Sequence, residues 1–242
     1  MEYIAKFYPE TKFGGYTDID GTMIFYMRVN SLISPTSVIL DIGCGRGSCT
    51  EDSLLIRRNL RNLKGKCNKI IGIDVDKIGH NNPYLDEFRL IESNRWPIEN
   101  ESIDVCICDN VLEHIENPDL FFLELHRVVK QNGVVCIRTP NLLGYVGLIA
   151  KIIPNKYHEK ILRKVQKGRP EEDVFPTYYQ CNTKKKLAHM LRTYGFDSFV
   201  YGYESEPSYL SFSYLFYLLG VIHQRFVPNM FKCALFAFGR KQ

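Results

Sequence analysis

Val38-Ile39-Leu40-Asp41-Ile42-Gly43-Cys44-Gly45-Arg46-Gly47 is the stretch that decides the fold. Its first five residues form a short apolar run, β-branched at Val38, Ile39 and Ile42. Such a run reads as a strand covered on both faces, as in a parallel sheet. Asp41 interrupts it near its end, and glycines then alternate at 43, 45 and 47. A glycine-rich turn lets a ligand approach the backbone closely and tolerates positive φ. A dinucleotide fingerprint would place its third glycine at position 48, which is Ser48 here. The pattern is instead an acid, one residue, then GxGxG. A carboxylate just before the loop would repel a pyrophosphate and suits a cationic ligand.

Working outward, Lys69 to Asp74, Ile103 to Cys108 and Val134 to Arg138 are further apolar runs of strand length. The second strand ends in Gly72-Ile73-Asp74. A carboxylate at that place can accept both hydroxyls of a ribose. Asn117-Pro118-Asp119 predicts a helix start: an Asn cap, Pro at the first helical position, then an acid. The apolar positions Leu120, Phe121, Leu123, Leu125 and Val128 carry that helix to Lys130. Gly133 is expected as its left-handed stop. A second helix is expected from Thr183 to Gly195. Strands alternating with helices imply an α/β, doubly wound, mostly parallel sheet.

The 242 residues carry 31 Lys+Arg and 27 Asp+Glu, a net charge of +4, with 45% hydrophobic residues. That composition excludes a disordered chain and a small disulfide-stapled scaffold. The charge is too mild to mark a nucleic-acid binder. None of the 8 cysteines forms a CxxC pair. They read as buried free thiols of a cytoplasmic protein. Neither a signal peptide nor an internal repeat is evident.

Val38 to Gly47, Gly72-Ile73-Asp74, Pro97 to Asp104, Leu112-Glu113-His114 and Arg127 to Gly133 together resemble the class I S-adenosylmethionine-dependent methyltransferases. The likeness is to the members acting on small molecules, lipids and sugars. The resemblance implies a seven-stranded Rossmann-like sheet in a single domain. It would have an N-terminal lid (1–36), a cofactor-binding core (37–139), an acceptor-side insertion after the fifth strand (140–182) and a C-terminal part (183–242). Ala234 to Phe238 would be the closing strand, antiparallel at the edge. S-adenosyl-L-methionine would be the cofactor. Asp41, Gly43, Cys44, Gly45 and Gly47 would line its methionine end. Asp74 and Val75 would lie at the ribose, Glu92 and Ser93 near the adenine, and Asp109 near the sulfonium and amino group. The adenine position often carries Asp in the family, and here it is Glu92.

Methyl transfer from a sulfonium is an in-line displacement, so alignment is the main task. A hydroxyl acceptor benefits from a general base, and His suits neutral pH. His114, just past the fourth strand, is the leading candidate, and His158 in the insertion is the second. Tyr178, Tyr179 and Arg28 are candidate acceptor contacts. No His/Asp/Glu grouping has metal-ligand spacing, so a metal-free mechanism is expected. Phe13-Gly14-Gly15-Tyr16 and the helix carrying Phe25, Tyr26 and Arg28 suit either a lid or plain packing.

The acceptor expected first is a saccharide or lipid-linked saccharide hydroxyl. A small aromatic or isoprenoid acceptor, as in quinone biosynthesis, is the alternative. A nucleic-acid methyltransferase would draw on Arg57, Arg58, Arg61, Lys64, Lys66, Lys69 and Lys184-Lys185-Lys186. However, the place after the fourth strand reads Asp109-Asn110-Val111, not Asn/Asp-Pro-Pro-aromatic, so no nucleic acid is expected. A non-catalytic cofactor-binding module is a further rival, which the intact acid-plus-glycine loop disfavours. Pro207 to Ile222 is uncharged and aromatic but short for a membrane span. It reads as a core or homodimer helix, or as a peripheral membrane contact.

Overall fold

The computed structural model describes residues 4–152 and 175–242. Its centre is a seven-stranded sheet: β1 (Val38–Ile42), β2 (Lys69–Asp74), β3 (Glu87–Leu90), β4 (Ile103–Asp109), β5 (Val129–Pro140), β6 (Phe196–Tyr203) and β7 (Ala234–Lys241). The spatial order is β3-β2-β1-β4-β5-β7-β6. The chain reverses its direction of sheet growth between β1 and β4, a switch point where ligands enter above the carboxyl ends. Only β7 runs against the rest, antiparallel to both β5 and β6.

Among the described residues the helices are α1 (Ile4–Phe7), α2 (Gly21–Ser31), α3 (Leu55–Arg61), α4 (Pro118–Val128), α5 (Tyr145–Ile152), α6 (Lys184–Thr193) and α7 (Tyr214–Phe226). Strand side chains alternate between faces, so each strand serves two cores. Leu40, Ile42, Ile71, Ile73, Cys106 and Cys108 pack with Phe122 and Leu125 of α4 and Leu187 and Leu191 of α6. On the other face Ile39, Ile70, Val105, Ile107 and Cys136 pack with Phe25, Tyr26 and Val29 of α2. Helix α2 is therefore built into the sheet face, with Phe25 and Val29 wholly buried, and does not stand apart from it.

Asn117 caps α4 by accepting the Leu120 N–H, and Thr183 caps α6 by accepting the Lys186 N–H. Gly195, at φ 77°, follows α6. The end of α4 differs from expectation. It stops at Val128, and Lys130 already lies in β5. The left-handed residue is Asn132, at φ 63°, not Gly133. Asn tolerates that region better than most residues. Gly133 meets a demand for space instead: a Cβ there would sit 2.7 Å from Val129 Cγ1 and 2.9 Å from the Lys130 carbonyl.

The closing strand also differs. β7 is interior, and β6 forms the edge. Leu235, Phe236 and Ala237 are fully buried, which matches a strand covered on both faces with neighbours on both sides. Neither β3 nor β6 carries the continuous apolar run of the others. The ends of the 140–182 stretch are pinned to the sheet: Asn182 Nδ2 donates to Thr139 Oγ1 at 2.6 Å, and the Leu142 N–H to the Asn182 carbonyl at 2.8 Å.

Candidate functional site

Period-two alternation puts four charged side chains on one face at the carboxyl ends. Asp41 shares the face of Ile39, Asp74 that of Ile70, Asp109 that of Ile107, and Arg138 that of Cys136. The glycine loop crosses above them. The Gly43 N–H donates to the Ile73 carbonyl at 2.8 Å, and the Gly45 N–H to Asp74 Oδ2 at 2.9 Å. Asp74 Oδ1 accepts the Asp76 N–H at 3.0 Å, so this carboxylate stitches the loop to β2. Asn82 Nδ2 braces the loop from the far side through the Cys44 carbonyl at 2.9 Å.

Two of the glycines do different jobs. Gly43 has φ 64°, and a Cβ there would collide with Val111 Cγ2 at 2.4 Å. Gly45 has φ 51°, and a Cβ there would meet nothing within 4 Å. The space beside Gly45 is open for a ligand. Cys44 turns inward, with its sulfur 2.8 Å from where a Cβ on Gly72 would be. Gly47, at φ 77°, abuts Asn82 and Pro83.

Asp41 is the unbalanced charge of the site. The described residues give its carboxylate no hydrogen-bond donor. Burial first, then Asp109 and Asp74, push its carboxyl up to about 7, with Arg61 pulling the other way. A buried carboxylate without a partner favours the arrival of a cation.

Asp109 is arranged differently. It is the register partner of Arg138, and the two form a bidentate pair at 2.6 and 2.7 Å. The Tyr26 hydroxyl donates to Asp109 Oδ2 at 3.0 Å, and Arg138 Nη1 donates to Thr22 Oγ1 at 2.8 Å. Burial alone would raise the Asp109 carboxyl, but Arg138 outweighs it and holds it below its usual range. Asp109 thus reaches the site already neutralised. Sequence reasoning missed Arg138, Tyr26 and Arg61, whose partners are remote in the chain.

The Ile91 N–H donates to the Asp74 carbonyl at 2.8 Å and holds the loop after β3 beside β2. Val75 is 66% exposed right after Asp74, an apolar surface in the open. Glu92 is exposed, and Ser93 Oγ bonds with the backbone of Arg95.

Past β4 the chain forms a one-turn helix, Leu112–His114. His114 Nδ1 lies 2.7 Å from the Pro176 carbonyl. A carbonyl only accepts, so Nδ1 carries the proton in that bond. Tyr178 and Tyr179 donate their N–H groups to the Glu113 carbonyl at 2.8 and 3.1 Å. Glu113 is itself buried and accepts from Thr139 Oγ1 at 3.0 Å. The fold brings His114, Tyr178 and Tyr179 together. It does not bring Arg28 to them: Arg28 lies over the Phe238 ring and lines a groove with Phe199 and Tyr201 near the amino ends of the strands. His158 falls outside the described residues.

Much of the basic run after the loop is engaged in contacts within the protein. Arg57 pairs with Asp20, the cap of α2, and Arg61 lies over the Tyr26 ring. Lys64 and Lys66 donate to the Leu85 and Asn59 carbonyls. One metal-ligand grouping does occur among the described residues, Glu204, His223 and Cys233, drawn from three separate segments.

A doubly wound sheet with an acid-plus-glycine loop, an unpaired Asp41 and an open Gly45 fits a nucleoside-bearing cation. The family model described as a methyltransferase domain matches residues 25–198, and the chain belongs to that family. S-adenosylmethionine is the family's methyl donor. The chain is 28% identical over 155 residues to the mitochondrial ubiquinone biosynthesis O-methyltransferase of Dictyostelium discoideum, covering 57% of this chain and 44% of that one. It is 26% identical over 146 residues to a methyltransferase of Schizosaccharomyces pombe, covering 55% and 49%. The chain spans about half the length of these curated relatives. In fold it is similar to an S-adenosylmethionine-dependent methyltransferase from Archaeoglobus fulgidus, with TM-score 0.57, 16% identity and coverage of 96% and 97%. It is also similar to the geranyl diphosphate C-methyltransferase of Streptomyces coelicolor, solved with S-adenosyl-L-homocysteine, with TM-score 0.54, 13% identity and coverage of 91% and 78%.

Proposed function

We propose that the chain transfers a methyl group from S-adenosylmethionine to an acceptor oxygen, a saccharide or lipid-linked saccharide hydroxyl first. The observation that carries this reading is His114, held through Nδ1 by the Pro176 carbonyl, beside the Tyr178 and Tyr179 backbone on Glu113. When bound, the cofactor supplies an electrophilic methyl carbon on a sulfonium. Asp41 balances the incoming positive charge, and the backbone at Gly45 leaves room for the ligand. Asp74 and Val75 serve the ribose, and Glu92 and Ser93 the adenine edge. His114 Nδ1–H is committed to Pro176, so the acceptor's proton is taken at Nε2. Glu113 Oε1, 3.9 Å from Nε2, offsets the resulting imidazolium charge. General-base assistance of this kind contributes about 100-fold or more.

A quinone-like aromatic hydroxyl is the second reading, supported by the likeness to the Dictyostelium enzyme. No helix among the described residues is long and apolar enough to cross a membrane. Leu215, Phe216, Leu219, Ile222 and Phe226 of α7 are nevertheless exposed, while Tyr217 and Val221 on its inner face are buried. That outer face supports either peripheral contact with a membrane carrying the acceptor or a homodimer. The deciding experiment measures cofactor demethylation with two acceptor panels, glycans with and without a lipid carrier and hydroxylated aromatics. Turnover with the glycans, lost in His114→Gln, supports the first reading. Turnover with the aromatics alone selects the second. No turnover with either, in a protein that binds cofactor, rejects both acceptor classes.

A further inference from the structure

We propose that Glu204, His223 and Cys233 form a zinc-binding site at the sheet edge where β5 and β6 end and β7 begins. The ladder builds it. Tyr203 and Ala234 are the last register partners of β6 and β7, so Glu204 and Cys233 face each other just beyond them. The Cys233 N–H donates to Glu204 Oε2 at 2.6 Å. His223, in the last turns of α7, brings Nε2 to 3.9 Å from the same carboxylate oxygen. The three donor atoms all lie within 4.8 Å of one another.

Two features separate this cluster from an ordinary polar strand end. His223 Nε2 is buried and has no hydrogen-bond partner, although a buried imidazole nitrogen normally finds one. The Tyr145 ring stands edge-on to His223, at 5.2 Å, and fixes the imidazole from outside.

Thiolate, imidazole and carboxylate are the ligand set of zinc, with three protein ligands and a fourth position left to solvent. One thiolate and one carboxylate neutralise a divalent charge. A tetrahedral zinc would hold sulfur and nitrogen about 3.5 Å apart, inside the 4.8 Å within which all three donor atoms lie. Without metal the Cys233 thiol donates to Glu204. On binding, the thiol proton passes to solvent, a Zn–S bond forms, and no oxidation state changes.

Cobalt(II) titration of the full chain tests this without reference to methyl transfer. The expected result is a saturable thiolate-to-cobalt charge-transfer band with tetrahedral d–d intensity, bleached by zinc. Cys233→Ala loses the band. His223→Ala, whose side chain is partly exposed, weakens cobalt binding by at least about tenfold while circular dichroism stays that of the parent chain. Cys67→Ala, a half-buried thiol remote from the cluster, keeps the band and its affinity. Absence of the band in the parent chain, its survival in Cys233→Ala, or unchanged affinity in His223→Ala overturns the proposal.

Discussion

The two ends of the sheet's carboxyl edge are built in different ways. Over β1, β2 and β4 the working residues come from short segments, each joined to a strand end. Gly43, Gly45 and Gly47 follow β1, and Asp74 and Val75 end β2. Past the end of β4, and over β5, β7 and β6, the contacts are not local. Pro176 meets His114 across 62 positions, and Asn182 meets Thr139 across 43. The first half is a turn shaped by backbone conformation, the second a set of contacts closed by the whole fold. Substitutions in the two halves should therefore fail differently, the first by losing ligand, the second by losing turnover or packing.

The pair joining the halves should carry the largest effect. Arg138→Met leaves Asp109 buried without its guanidinium and should cost about 3–5 kcal/mol in denaturant unfolding. A cost under about 1 kcal/mol would mean that Tyr26 and Arg61 hold Asp109 unaided. Next comes Gly43→Ala, which combines a left-handed φ with a collision on Val111 and should cost about 3 kcal/mol. Gly45→Ala should cost only about 1 kcal/mol, from backbone strain alone. Its cofactor affinity should nonetheless drop, because the new methyl enters the open space. Calorimetry run beside unfolding separates the two, and equal losses of both quantities in both variants would erase the distinction between them.

For the other half, His114→Gln should lower turnover about 100-fold and leave cofactor affinity within twofold or so. Parallel losses would move His114 into the cofactor half. A pH series sharpens the first half further. The Asp41 carboxyl is raised from its ordinary 3.8 to about 7 in the folded protein. The folded state then holds a proton that the unfolded chain releases. This group's contribution to stability is therefore favourable at low pH and is lost as pH rises from about 4 to 7. A cationic ligand favours the ionised form, so cofactor affinity should rise across the same window. Asp41→Asn should flatten both slopes, and an unchanged affinity slope would remove Asp41 from the ligand's surroundings. The smallest effect belongs to the outer face of α7. Leu219→Glu should change stability by less than about 0.5 kcal/mol. It should reduce flotation with anionic vesicles, or self-association in sedimentation; no change in either would leave that face without a partner.

Much of the first half was legible in the sequence because its logic is one-dimensional. An acid, a GxGxG turn and a carboxylate ending the next strand lie at fixed offsets along the chain, and their meaning survives without coordinates. The Asn117 and Thr183 caps were legible for the same reason. Asp109 shows where that reading stops. The family resemblance implies a ligand contact there, yet strand register sets Arg138 beside it. Arg28 looked available for an acceptor, but α2 runs down the sheet face and carries it to the opposite edge. Gly133 looked like a helix stop, yet the crowding of Val129 and Lys130 demands its missing Cβ. The Glu204, His223 and Cys233 cluster has no spacing to read at all. Strand β7 hid its interior place because an apolar run of that length does not declare its neighbours.

Thr22 and Tyr26 of α2 brace the Arg138–Asp109 pair from the side, and Asp20 at the head of that helix receives Arg57. The stretch ahead of the first strand is thereby a strut under the sheet's charged seam. A recombinant fragment trimmed to begin at Ser37 would leave that seam wet on one flank, so boundaries for expression belong upstream of Asp20.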